Sequence, residues 1–235
     1  MRVLVTRPED DAVDTVRQLE EAGHEALVSP MLEIRFTDFA TLPRTDVQAW
    51  LLTSRNGVRA LARLGADRDV PVMAVGRSTA ALARDLGFSE VHDADGDVGD
   101  LVSLVASRLK SDGGRLFHAA GKHVAGDLAG MLNGQGFLVD REVLYGAEPV
   151  GVLGSAAAEA LANRQIDAAL FFSARSAGVF ASLFSTDRRS HLVLSHMTAI
   201  CISEKAAAEL SGLPFADTRV ARRPNQDALL AELNN

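Results

Sequence analysis

Cysteine is almost missing from this sequence. A single one, Cys201, sits in a β-like run among 235 residues, so no internal disulfide can form and a reducing, cytoplasmic setting is expected. Aromatic residues are also scarce at 5%, with one Trp and one tyrosine, Tyr145. No apolar run approaches the roughly 20 residues that span a bilayer. The opening Met1-Arg-Val-Leu-Val-Thr-Arg-Pro-Glu9 reads as a strand entering an acidic helix rather than as a secretion signal. Basic runs are missing too: Arg188-Arg189 and Arg222-Arg223 are isolated pairs, and the net charge is −7. Nucleic-acid binding, which leaves a basic footprint, is therefore not expected. The six His never fall at metal-ligand spacing, and one Cys cannot build a soft-metal site, so no metal is expected.

What the chain does have is ordinary globular composition, 47% apolar and 23% charged, and a long internal repeat. Arg2-Val-Leu-Val-Thr6, followed by a helical stretch ending at Gly23, returns as Arg115-Leu-Phe-His-Ala119 with a helical stretch ending at Gly136, 113 positions on. Leu51-Leu-Thr-Ser54 with Leu61 returns as Leu170-Phe-Phe-Ser173 with Phe180, at an offset of 119. Ala74-Val-Gly76 and Thr79-Ala80 return as Cys201-Ile-Ser203 and Ala206-Ala207, at 127, and Gly96-Asp97 with Leu101 answers Pro224-Asn225 with Leu229, at 128. So long a period excludes a solenoid and predicts a duplicated domain. A ligand cleft between the two domains is expected, since domain interfaces are favoured pocket sites.

Short β-branched runs alternate with helical patterns, the signature of βαβ units and parallel sheets. Strands are predicted at Val3–Thr6, Glu25–Val28, Ala49–Thr53, Val72–Val75, Arg115–His118, Ala168–Phe172 and Thr198–Ile202. A helix over Asp11–Ala22 is expected to bury Val13, Val16 and Leu19. Another over Val124–Leu132 is expected to bury Ala125, Leu128 and Met131. Gly23, Gly87, Gly136 and Gly212 each stand where a helix should close in a left-handed cap. Two stretches break the pattern. Leu32–Thr37 and part of Val139–Tyr145 alternate with period two at equivalent places in the repeats, which predicts paired crossovers followed by Pro43 and Pro149. One domain would then be discontinuous, residues 1–33 with 150–235. The other would span 38–140, with 34–37 and 141–149 as linkers of a two-stranded hinge.

Thr53-Ser54-Arg55-Asn56 and Ser173-Ala174-Arg175-Ser176 each follow an apolar strand and open a helix. Hydroxyls there cap orphan backbone N–H groups, and the same helix starts can receive anions. Both readings place them at the carboxyl ends of strands, where α/β folds bind ligands. Ala74-Val-Gly76-Arg77-Ser-Thr79 has the same character, but it lacks the G-x-G-x-x-G spacing of a dinucleotide site and the Gly-Lys-Ser/Thr of a P-loop. The acidic Glu9-Asp10-Asp11 suggests a phosphate receiver. The central strand, however, ends in Thr53-Ser54 where a receiver needs its acceptor Asp. His24, His118 and His123 show no partner in the sequence and are read as packing or surface residues. Tyr145 falls on the second crossover, either as an amphipathic packing residue or as a phenol able to donate a proton at neutral pH.

Val3-Leu-Val-Thr-Arg-Pro8, Leu52-Thr-Ser-Arg-Asn-Gly57, Ala74-Val-Gly-Arg-Ser-Thr-Ala80, Val143-Leu-Tyr145 and Phe172-Ser173 together resemble the uroporphyrinogen-III synthase family over essentially the whole chain. The resemblance implies two flavodoxin-like, doubly wound parallel-sheet α/β domains joined by a two-stranded ladder, in a monomer that needs no cofactor. It implies that hydroxymethylbilane, a linear tetrapyrrole with eight carboxylates, loses its hydroxyl and closes through a spiro intermediate with its terminal ring inverted. It places the catalytic phenol on Tyr145, and carboxylate contacts on Arg7, Thr53, Ser54, Arg55, Gly76, Arg77, Thr79, Ser173, Arg175, Ser203 and Lys205. Ser203 and Ala206 stand where many members carry Gly and Thr, so Ser203 or Lys205 is the substitute donor there. The rival readings are a synthase-like protein without the chemistry, binding a tetrapyrrole or another small molecule, and a two-domain sensor.

Overall fold

The computed structural model describes residues 1–37, 41–43, 45–123, 126–184 and 190–234. Its strands are β1 (Arg2–Val5), β2 (Glu25–Val28), β3 (Leu32–Phe36), β4 (Val47–Leu52), β5 (Val72–Ala74), β6 (Val91–Asp93), β7 (Arg115–Gly121), β8 (Leu138–Pro149), β9 (Ala168–Phe171), β10 (Thr198–Cys201) and β11 (Asp217–Val220). Between them run α1 (Glu9–Glu21), α2 (Arg55–Arg63), α3 (Arg77–Asp85), α4 (Val98–Arg108), α5 (Leu128–Asn133), α6 (Ser155–Ala162), α7 (Ala174–Phe184), α8 (Ser190–Leu194), α9 (Glu204–Glu209) and α10 (Gln226–Ala231). The chain divides into two compact units, Met1–Glu33 with Glu148–Asn235, and Ile34–Ala147.

In the first unit a sheet of order β2-β1-β9-β10-β11 is parallel throughout, the flavodoxin-like order with its switch point between β1 and β9. Both faces are covered, which is why β9 is apolar at every position and β1 and β10 are apolar after their first residue. Leu4, Ala169, Phe171, Ala199 and Cys201 face one core with residues of α6, α7 and α9. Val3, Val5, Ala168, Leu170 and Ile200 face the other with residues of α1 and α10.

The second unit repeats the plan as β8-β7-β4-β5-β6, with β3 added outside β8. Trp50, Leu52, Phe117 and Ala119 meet α2 and α3 on one face. Ala49, Leu51, Met73 and Leu116 meet α4 and α5 on the other. Thr37 N–H donates to Leu144 O at 2.9 Å and Val150 N–H to Met31 O at 3.1 Å. The residue numbers of these pairs run in opposite directions, as in an antiparallel ladder.

Registers match between the units as well as strand order. Val3 pairs with Ala168 and Ala26 in the first. At the repeat offsets, Leu116 pairs with Ala49 and Val139 in the second. Ala169 opposite Ala199 likewise corresponds to Trp50 opposite Val72.

Several expectations need correction. In α1 the buried stripe is Ala12, Thr15 and Leu19, whereas Val13 is 71% exposed. The helix packs through its small residues, and Thr15 can be buried because its hydroxyl has partners in Arg7 and Gln226. In α5, Leu128 is buried but Met131 is 46% exposed; this helix begins at Leu128, and the expected Val124 and Ala125 lie outside the described residues. Gly23, Gly87 and Gly136 adopt positive φ after their helices, but Gly212 does not. β6 (VHD) and β11 (DTRV) add to the expected strands; neither carries the apolar run that marks a strand in the sequence. Each is the outermost strand of its sheet, and outer strands carry polar side chains.

Candidate active site at the carboxyl ends of the strands

Every residue expected to contact substrate lies at the carboxyl end of a parallel strand or in the first turn of the helix that follows, except Tyr145, which sits within β8. In the first unit Arg7 follows β1, Ser173 and Arg175 follow β9, and Ser203 and Lys205 follow β10. In the second unit Thr53, Ser54 and Arg55 follow β4, and Gly76, Arg77 and Thr79 follow β5. Parallel strands all end on one edge of a sheet, so residues far apart in sequence collect there.

The second unit brings the chemistry together. Ser54 is the N-cap of α2, and Asn56 N–H donates to its Oγ at 3.1 Å. The Ser54 hydroxyl is also hydrogen-bonded to the Tyr145 phenol. That phenol is 9% exposed, and burial raises its pKa above the usual value near 10, with the Ser54 bond partly offsetting the rise. Tyr145 is therefore protonated at neutral pH. Its ring covers Gly121, where an added Cβ would lie 2.8 Å from the ring carbon Cε2. A side chain at 121 would evict the ring, so this glycine is fixed by a close approach. Lys122 N–H anchors the other side of the tyrosine by donating to Tyr145 O at 2.9 Å. Gly121 ends β7 and Thr53 follows β4, the strands that flank this sheet's switch point. Gly57 permits α2 to press onto β7, since a Cβ there would meet Ala119 O at 2.8 Å.

Helix starts differ in what fills them. Ser173 accepts from Ser176 N–H at 3.0 Å and meets the Ser176 hydroxyl at 2.9 Å. Ser203 caps α9, accepting from Ala206 N–H at 3.4 Å, while Ala206 itself is buried. No side chain caps α3, which begins after extended Gly76, with nothing within 4 Å of where a Cβ would stand. Thr79 is buried in the first turn of that helix, and the exposed Arg77 pairs with Asp95. Arg175 and Lys205 are exposed, and Arg55 is half-buried. Arg7 is engaged within its own unit: its guanidinium lies 4.4 Å from the Phe172 ring centroid and donates to Gln226 Oε1 at 2.8 Å and Thr15 Oγ1 at 3.2 Å.

Three residues near this site carried no sequence signal: His118, Lys122 and Arg141. His118 is 1% exposed, with Nε2 3.4 Å from Thr53 Oγ1. Burial first, then the charge of Arg141, lowers its pKa to about 4, so the ring is neutral. Arg141 donates to Gly121 O at 3.2 Å. The partners lie far apart in the chain, and no local pattern marks them. Among the described residues no group of three His, Cys, Asp or Glu could hold a metal ion, and no helix is long and apolar enough to cross a membrane.

A family model described as uroporphyrinogen-III synthase HemD matches residues 13–231. The chain belongs to the uroporphyrinogen-III synthase family. A relative named "Putative uroporphyrinogen-III synthase" from Archaeoglobus fulgidus is 35% identical over 82 residues, which is 35% of this chain and 34% of that protein's own length. The crystal structure of uroporphyrinogen-III synthetase from Helicobacter pylori is 19% identical and superposes with a TM-score of 0.64, covering 100% of this chain and 99% of that one. The likeness is one of fold, mixed α/β with parallel sheets.

Proposed function

We propose that this protein is a uroporphyrinogen-III synthase, a lyase that closes hydroxymethylbilane to uroporphyrinogen III with loss of water and inversion of the terminal ring. The observation that carries the reading is the sole tyrosine, kept protonated by burial and hydrogen-bonded to the N-cap serine of α2 at a sheet's switch point. Family membership supplies the reaction.

The first step breaks a C–O bond. Hydroxide is a poor leaving group, and a proton donated by the Tyr145 phenol lets water leave in its place. The cation left on the methylene carbon is stabilised by its own pyrrole nitrogen, and attack by the substituted α-carbon of the far terminal ring gives the spiro intermediate. The old methylene bond to that carbon then breaks, leaving a second pyrrole-stabilised cation that the ring's free α-carbon attacks. When the inverted ring closes, a ring proton is released and can return to the phenolate. Hydrogen, oxygen and charge balance without an external oxidant, so no cofactor is assigned.

An acidic protein binds eight carboxylates through local field rather than net charge. A helix N-terminus contributes about 0.3–1 kcal/mol to an exposed anion, so eight contacts near ~1 kcal/mol amount to ~8 kcal/mol, the order of micromolar binding before ordering costs. The start of α3 is the best of these, because no side chain of its own occupies it. We assign carboxylate contacts to the amides of Gly76 and Arg77 and to Thr79, Thr53, Ser54 and Arg55 from the second unit. From the first unit we assign Ser173, Arg175, Ser203 and Lys205. Arg7 orders the β1–α1 turn beside them. The protein is taken as a cytoplasmic monomer, in keeping with a biosynthetic family and a single buried cysteine.

The test is a product assay with freshly generated hydroxymethylbilane, separating type I from type III isomers after oxidation. Type III that scales with added protein is expected. Type I alone, as in a protein-free control, overturns the assignment and favours a binding role.

A further inference from the structure

We propose that His118 is a positioning residue for the phenol: from the rear of the second unit's sheet it fixes, through Thr53, the strand-to-helix turn that presents Ser54 to Tyr145. The kinetic consequence rests on the synthase reading; the structural consequence does not.

Strand alternation separates the two faces. Leu116 and Leu51 belong to the core under α4 and α5, so His118 and Thr53, each two residues further along, point the same way. Arg141, two residues beyond Val139, shares that face. Tyr145 belongs to the opposite core, under α2 and α3. The contact between His118 Nε2 and Thr53 Oγ1, at 3.4 Å, therefore ties β7 to the end of β4 from behind, one residue before the serine that bonds the phenol. The neutral ring carries one N–H. His118 Nδ1 is buried with no partner among the described residues. Assigning the hydrogen to Nε2 gives Thr53 a donor and leaves Nδ1 as a bare lone pair. Arg141 completes the support by holding Gly121 O at 3.2 Å, beneath the tyrosine ring. Rear-face residues thus hold both backbone walls of the phenol.

The fold itself does not require a polar pair here. At the equivalent positions of the first unit, by the same offsets, stand Val5 and Phe172, and Val5 is fully buried. Burying an imidazole and a hydroxyl in place of apolar side chains carries a desolvation cost, and its return is geometric.

One tyrosine gives one resonance, so full-length protein labelled with 13C at tyrosine Cζ reports Tyr145 alone. Ser54→Ala should move that resonance, and Thr53→Val and His118→Phe should move it in the same direction. His118→Gln, whose amide can still donate to Thr53, should stay closer to wild type. Leu132→Ala, in the same rear core, should lower the melting temperature and leave the resonance in place. In the isomer assay His118→Phe should lower kcat roughly five-fold, the size of one lost hydrogen bond, with KM unchanged and little further loss in a Tyr145→Phe background. If Thr53→Val and the His118 variants leave the resonance at its wild-type position, or if Ser54→Ala does, the proposal is overturned. Should His118→Phe fail to fold, Thr53→Val and His118→Gln decide. Resonance shifts in a protein that makes no type III isomer would uphold the positioning role and reject the synthase.

Discussion

The two units share strand order and register, yet they treat the same positions in opposite ways. Where the second unit has His118 and Thr53 behind its sheet, the first has Val5 and Phe172; where the second has Tyr145, the first has Leu32, 7% exposed. The start of α3 is left open after Gly76, whereas α9 is closed by Ser203. The first unit spends its polar groups on internal bonds. Thr6 Oγ1 donates to Leu170 O at 2.6 Å, and Arg7 binds Phe172, Thr15 and Gln226. One framework thus supports an apolar, internally satisfied version and a polar version with an available phenol and helix start. Strand order and register do not distinguish them; the side chains at the ends of the strands, just past them and on β8 do.

The largest expected difference between the units appears on acidification. His118 has a folded pKa of about 4 against 6.5, so between those values the unfolded chain binds a proton that the folded chain refuses. Stability present above pH 6.5 is lost as pH falls toward 4, by up to about 3 kcal/mol. His118→Gln should lack this part of the slope in urea unfolding at pH 7 and pH 4.5, and an unchanged slope would mean that the ring is not buried neutral. Next in size is Gly57→Ala, whose methyl meets Ala119 O; overpacking there should cost about 1–3 kcal/mol. The equivalent residue of the first unit, Ser176, already carries a side chain, so Ser176→Ala should lose only about 1 kcal/mol for its hydrogen bond. Equal losses by thermal unfolding would break the comparison.

Tyr145→Phe should slow turnover roughly ten-fold or more, the low end of a general-acid contribution, and leave measurable type III product. Leu32→Met, its counterpart, should leave kcat unchanged; a full-speed Tyr145→Phe enzyme would remove the phenol from the mechanism. The smallest contrast is between caps. Ser54→Ala and Ser173→Ala should each cost about 1 kcal/mol of stability, but only Ser54→Ala should also lower kcat, while Ser173→Ala raises KM. Identical kinetics would place the two units on the same footing.

Much of this was legible before folding. Alternating strand and helix signals gave the parallel α/β class, and Ser54 and Ser173 were readable as caps because hydroxyls at helix starts answer a local need of the backbone. Tyr145 stood out by being alone on a crossover strand. Val13 and Met131 were misjudged because periodicity gives a stripe without saying which neighbour it meets, and small Ala12 and Thr15 proved to be the packing surface of α1. β6 and β11 escaped because edge strands need no apolar run.

By itself the sequence determined the α/β alternation, most of the strands, the caps at Ser54 and Ser173 and the repeat, all of which depend on interactions within a few residues or on the chain's similarity to itself. Only the tertiary structure decided that His118 meets Thr53 across 65 positions, that Arg141 holds Gly121, and that Ser54 bonds Tyr145. Those contacts depend on which strands lie side by side and in what register. Burial then lowers the pKa of the imidazole and raises that of the phenol, and no residue carries its own burial in the sequence.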